Sequence, residues 1–305
     1  MNFNNLVRNF CSKRYFIQTF RLYSSKSQSV SPIDYCLDLV RKNDYENFLC
    51  ALLLPKTPRN AIISVRAFNV EVSKAAIASK DSRISLMRLG FWNETIAKIY
   101  EGNPPNHPVA IQLARTISKH DLKKRNFMRL VKAREVQLTE PCFQSLDNME
   151  KYSEETVSPI IYMSLEVAGI KDINADHAAS HVGKGQGLVM LLRIARSGNS
   201  SWSLPRDLLE SVGFDVAKGL LPHSSSTKDL VFKIASRAKA HIDKARSLSS
   251  KLPRGSSVYL LPAIPTANYL RRLSDADFDV FEPLIGERDF LLGLSLYWAK
   301  LSNSY

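Results

Sequence analysis

The sequence predicts an all-α protein built as a single-domain helical bundle. Three observations carry this expectation. From about Ser31 onward, apolar residues recur at three- and four-residue intervals almost throughout. The 12 Gly and 14 Pro make under a tenth of the 305 residues, leaner than the ordinary ~12%, so little interrupts long helices. No stretch alternates apolar and polar residues long enough for a half-buried strand. The 45% hydrophobic and 23% charged composition excludes a wholly disordered or fibrous chain.

The first helix opens at Ser31-Pro32-Ile33-Asp34, an N-cap followed by proline and an acid. Ile33, Cys36, Leu37 and Val40 mark its apolar face. A second helix covers 44–54 and is closed by Pro55; Thr57-Pro58 opens a third, striped by Ile62, Val65, Phe68, Val72 and Ala75 or Ala76. Further helices fit 82–100, 109–120 and 122–138, with the breaker 101–108 between the first two. One long helix fits 142–169, kinked at Pro159. The remaining helices fit 174–196, 205–212, 227–250, 257–273 and 289–301, and Ser224 to Thr227 reads as a loop ending in an N-cap. There is no repeat and no low-complexity linker, so residues 31–305 read as one domain.

The formal charge of +13 is uneven. Arg8, Lys13, Arg14, Arg21 and Lys26 precede the first acid, Asp34, and bulky apolar residues and serines lie among them. This is the profile of a mitochondrial transit peptide, here residues 1–30 with a disordered lead-in and cleavage near Tyr23, the plainer alternative being a disordered basic tail. Removing the four basic residues of 1–23 from +13 still leaves +9. The longest apolar run, Phe48 to Leu54, is far short of the ~20 residues of a spanning helix. Cys11, Cys36, Cys50 and Cys142 are scattered, as reduced and mostly buried thiols would be.

Several clusters invite chemistry and have plainer readings. Asp34 and Asp38 share a helix face, but one opposite the apolar stripe, as solvated acids do. His177 and His181 also share a face, beside Asp176, without a third metal ligand; a satisfied histidine pair is the better reading. Asp275, Asp277 and Asp279 lack the Gly and distal Glu of a calcium loop. The basic run Lys123, Lys124, Arg125, Arg129, Lys132 and Arg134 reads as solvated surface, with docking on anionic lipid as the alternative. No aromatics interleave with it, so no nucleic acid is expected.

The order of two motifs is more specific. Asn47 to Arg59, then Ala61-Ile62 and Arg66-Ala67-Phe68, resembles the opening of the squalene/phytoene synthase family. Gly183-Lys184-Gly185 through Leu191-Leu192-Arg193, then Leu204-Pro205, resembles that family's G-x-A-x-Q-L-x-N-x-L-R-D and LP motifs. Tyr152 to Gly169 and Leu261 to Leu273 fall where the family has its other core helices, so the resemblance spans 32–273. It implies the helical fold of the isoprenoid synthases. Family enzymes join two prenyl diphosphates head to head, using two D-x-x-x-D pairs whose carboxylates hold Mg²⁺ against a diphosphate. The first pair is expected at Ser73, Lys74 and Ile77; the second motif falls on Met190, Ile194 and Gly198. None is acidic. The resemblance therefore implies a pseudoenzyme, with no catalytic residue, metal or cofactor.

An inherited pocket would draw on Phe48, Arg59, Phe68, Lys74, Met190 and Arg193, with the cations as anion ligands. In the plainer reading Lys74 reaches solvent and Arg59 caps a helix. Arg66 to Glu71 and Asp176 to Gly183 resemble, more narrowly, a mitochondrial branch of the family that acts early in biogenesis of respiratory complex I. That resemblance implies a non-catalytic assembly factor whose partners are complex I subunits or assembly intermediates. It would lie peripherally on the matrix side of the inner membrane. The alternatives are a lipid or isoprenoid carrier or sensor, and an active prenyltransferase using unconventional residues.

Overall fold

The apolar stripe of the third predicted helix becomes the buried face of a 21-residue helix, Lys56–Ala76, around which half the protein is organised. The computed structural model describes residues 31–79, 81–196, 203–214 and 221–305. In chain order its helices are α1 (Pro32–Asn43), α2 (Tyr45–Leu52), α3 (Lys56–Ala76), α4 (Ser82–Tyr100) and α5 (Pro108–Ile117). Then come α6 (Lys124–Thr139), α7 (Leu146–Thr156), α8 (Ser158–Val167) and α9 (Ile173–Arg196). The last are α10 (Arg206–Ser211), α11 (Ser225–Ser247), α12 (Ala263–Asp275) and α13 (Leu292–Leu301). There is no strand among the described residues. Residues 32–305 form one compact unit. The expected leader, residues 1–30, lies outside the described residues.

Local chemistry sets many of the helix starts. Asp81, Ser145 and Ser224 accept backbone N–H bonds from Arg83, Asn148 and Thr227 respectively, each satisfying an orphan donor. Helix α3 packs on α1, α4, α5, α6 and α8; α9 packs on α7, α8, α11 and α12. At the first centre Phe68 meets Trp92 and Phe127 edge-on, with ring centroids 5.6 and 5.4 Å apart. At the second, Gly183 and Gly187 let α9 touch neighbouring backbone. A Cβ at Gly183 would stand 2.6 Å from Ser158 Cα, and one at Gly187 would stand 2.7 Å from Ser153 Cα.

Three expectations are corrected. The predicted helix over 142–169 is two helices, broken at Val157 rather than kinked at Pro159. Proline lacks the N–H that would bond the carbonyl four residues back, and Ile160 N instead reaches Val157 O at 3.1 Å. The predicted helix over 257–273 is a 3₁₀ turn, Ser257–Tyr259, followed by α12, because the residue before Pro262 is disfavoured in helical geometry. Arg134, assigned to a solvated basic face, is buried at 4% exposure. The remaining boundaries agree to within three residues, with the final helix beginning at Leu292. No described helix is long and apolar enough to cross a membrane.

Candidate functional site

Arg134 reaches across from α6 to α3. Its Nη2 donates to Ser73 Oγ and Asn69 Oδ1, both at 2.8 Å, and its Nη1 donates to Leu130 O at 2.7 Å. No carboxylate pairs with it among the described residues. Burial pulls the guanidinium pKa below its ordinary value. Of Ser73, Lys74 and Ile77, where the sequence reading expects the first aspartate pair, Ser73 thus faces a buried cation and the other two are exposed.

The C-terminal half of α9 is tied to α2 instead. Arg193 forms a fork on Glu46, with Nη1 to Oε2 at 2.8 Å and Nη2 to Oε1 at 3.0 Å. Its guanidinium also lies 4.5 Å from the ring centroid of Tyr269. Two turns earlier, Gln186 Nε2 donates to Asn47 Oδ1 at 3.1 Å, and Asn47 Nδ2 donates to Asp44 Oδ1 at 2.7 Å. Asp44 Oδ2 in turn accepts from buried Arg66 at 3.0 Å. This relay locks α2, α3 and α9 together.

A cavity of about 820 Å³ opens between α6 and α7, within the 300–1,000 Å³ range of small-molecule sites. Met128, Val131, Val136, Phe143 and Tyr152 supply apolar wall, and Lys124, Arg125, Lys132 and Lys151 supply positive charge. No residue of α3 or α9 lines it. A second, much smaller void of about 10 Å³ lies among Asn47, Cys50, Ile62, Arg66, Ser164 and Pro262.

A polar cluster joins α7, α9 and α11. His181 Nδ1 lies 2.9 Å from His241 Nδ1, and His241 Nε2 lies 3.1 Å from Glu150 Oε2. Lys184 bridges Glu150 and Glu154 at 3.2 Å each, and Arg237 reaches Glu150 at 2.8 Å. Burial, then His241 and the nearby lysines, hold the His181 pKa at about 4. Burial alone would raise Glu150, but hydrogen bonds from His241, Arg237 and Lys184 bring it down to about 2. His177 is exposed and stands apart from this cluster.

The family model described as squalene/phytoene synthase matches residues 40–293. The chain belongs to the squalene/phytoene synthase family. Within it the chain is similar to "NADH dehydrogenase (ubiquinone) complex I, assembly factor 6" of Bos taurus, 39% identical over 87% of this chain and 82% of the relative. The Homo sapiens protein of the same name is 38% identical over 89% of this chain and 82% of its own length. Among solved structures, a dehydrosqualene synthase crystallised with a ligand superposes with a TM-score of 0.74 at 15% identity. That superposition covers 89% of this chain and 96% of the enzyme, and it carries the fold alone.

The squalene/phytoene synthase fold places the sequence candidates as follows. Phe68 is fully buried and Phe48 half-buried in the α3-centred core. Arg59 donates through Nε and Nη2 to Leu54 O, at 3.1 and 2.8 Å, closing the turn between α2 and α3. Lys74, Met190 and Ile77 are exposed; Ile194 is half-buried; Gly198 lies outside the described residues. None of Phe48, Arg59, Phe68, Lys74, Met190 and Arg193 lines the 820 Å³ cavity, so the structure does not gather them into it. A family enzyme needs Mg²⁺, and Ser73, Lys74 and Ile77 do not fit it. A hard divalent cation takes several anionic oxygens, whereas this end of α3 offers one hydroxyl facing a guanidinium. Among the described residues no group of three or more His, Cys, Asp or Glu side chains is placed to hold a metal. Sequence reading missed the Arg134 contact and the partnership of His181 with His241, because 61 and 60 residues of chain separate the partners.

Proposed function

We propose that this protein is a non-catalytic assembly factor for mitochondrial respiratory complex I, built on a prenyl synthase fold that has lost both magnesium-binding aspartate motifs. The observation that carries the reading is 38–39% identity, over most of both chains, to proteins named complex I assembly factor 6. The absence of acids at Ser73, Lys74, Ile77, Met190 and Ile194 and the guanidinium at Ser73 support it. Its partners are complex I subunits or assembly intermediates, met at the matrix side of the inner membrane, where the chain attaches peripherally. The basic, acid-free residues 1–30 act as the mitochondrial targeting segment. Purification of the tagged protein from mitochondria in mild detergent tests this. Recovery of complex I subunits is the expected result, and magnesium-dependent turnover of a prenyl diphosphate by the purified protein would overturn it.

A second reading, binding of a long apolar chain, is favoured by the 820 Å³ cavity with its apolar wall, whose polar lining mixes five cations with Glu135, Glu140 and Glu155. The two readings are compatible, since an assembly factor can carry a ligand. Mass spectrometry of lipids co-purified with the protein tests the second directly.

A further inference from the structure

Helix α13 is apolar on both of its sides. Leu292, Leu296 and Ala299 are buried against α2 and α12, beside Cys50 and Leu261. On the other side Leu294 is 61% and Trp298 68% exposed, and Tyr297 and Leu301 are exposed with them. Phe290, just before the helix, is 89% exposed, and Leu291 is also bare. A helix that is apolar all round belongs where both sides are covered.

Helix α2 extends this surface. Arg288 stands 4.7 Å over the Tyr45 ring, and Lys300 Nζ donates to Leu53 O at 2.8 Å, so α13 runs beside α2 in the same direction. Tyr45 and Leu52, at either end of α2, are themselves exposed. Six large side chains of the α13 segment thus form one apolar face on the order of several hundred Å², more than isolated surface hydrophobics account for.

The chemistry of the face fits a bilayer surface. Leucine and phenylalanine suit the acyl boundary, and adjacent Tyr297 and Trp298 carry the amphipathic rings that sit at headgroup level. Helix α13 contains no acid, and Arg288 and Lys300 place a cation at each end of the face. The nearest preceding acid on the segment, Asp289, is tied to Asn268 Nδ2 at 2.8 Å and Leu291 N at 3.0 Å. Ten residues make about 15 Å of helix, too short to span and suited to lie in the interfacial plane. Neither cavity described above includes an α13 residue, so the face offers a row of projecting side chains rather than a pocket.

We infer that α13, with Phe290, Leu291 and the exposed edge of α2, is an in-plane helix that docks the protein on an anionic phospholipid bilayer. The inference rests on the peripheral attachment proposed above and assigns it to a surface. The test is flotation of the full chain with phosphatidylcholine vesicles, with and without phosphatidylglycerol, beside the variant Leu294→Gln/Trp298→Gln. Both substituted side chains face solvent, and an unchanged thermal melt verifies the fold. Wild type should float with the anionic vesicles, and the variant should lose at least about tenfold of that binding. Trp298 emission should shift to the blue when vesicles are added to wild type. Equal flotation of both proteins would overturn the α13 assignment while leaving peripheral attachment standing. No flotation of either, with or without a dimer that the substitutions disperse, would overturn the assignment as well. Salt and alkaline washing of mitochondrial membranes then tests attachment separately.

Discussion

Arg134 Nη2 stands 2.8 Å from Ser73 Oγ, so a buried guanidinium occupies the side of α3 where an aspartate motif was expected. The arrangement is held by neutral acceptors: Ser73, Asn69 and the Leu130 carbonyl. Neutral acceptors satisfy the donors but leave the charge without a counter-ion, which is why burial lowers the Arg134 pKa.

Arg134→Ala should therefore destabilise the fold by about 2–4 kcal/mol, through lost packing and stranded acceptors. Arg134→Met, which keeps the volume and removes the buried charge, should cost less. Urea denaturation of both variants checks the order. Ser73→Asp should give the guanidinium a partner, and its melting temperature should not respond to magnesium.

Gly183 and Gly187 are expected to be intolerant of alanine. The added Cβ would meet the Ser158 or Ser153 backbone, which cannot swing aside, so each substitution should cost about 1–3 kcal/mol or more. At Gly185 the nearest atom, at 2.8 Å, is the tip of the Ile242 side chain, which can rotate. Gly185→Ala should be the mildest of the three in the same unfolding measurement.

Acid should weaken the α7–α9–α11 junction. His181 titrates at about 4 in the folded protein and near 6.5 unfolded, so the unfolded chain binds more protons between those values. Its contribution is fully present above pH 6.5 and is lost as pH falls toward 4. Glu150, at about 2, acts in the same direction, with stability present above its unfolded pKa of ~4.3 and lost below it. After screening by solvent, the His181 part is on the order of 1 kcal/mol. Denaturation midpoints should fall between pH 7 and 5 in the wild type and fall less in His181→Asn.

Thiol reactivity should divide by burial. Cys36 and Cys50 are buried, and desolvation pushes each thiol up to about 12. Cys142 is half-buried and lines the 820 Å³ cavity. A maleimide should label Cys142 in the native protein, and should label Cys36 and Cys50 only after unfolding. Mass mapping of the labelled peptides reads this out, and a ligand in the cavity should slow the labelling of Cys142.

The sequence by itself determined the helical class, most element positions and the family. Those properties are written in short-range spacing: the stripe of Ile62, Val65, Phe68, Val72 and Ala75 dictates a buried helix face whatever it packs against. The contact of Arg59 with Leu54 O is equally short in range, five residues apart along the chain. Tertiary structure decided which charges are paired and which surfaces remain open. Lys74 and Arg134 look alike in sequence, yet one is in solvent and the other is sealed between α3 and α6. Burial depends on which helices pack together, and a local pattern does not encode that. The same holds for α13: its ten residues announce a fully buried helix, and only the packing of α2 and α12 against one side shows that the other side is left bare.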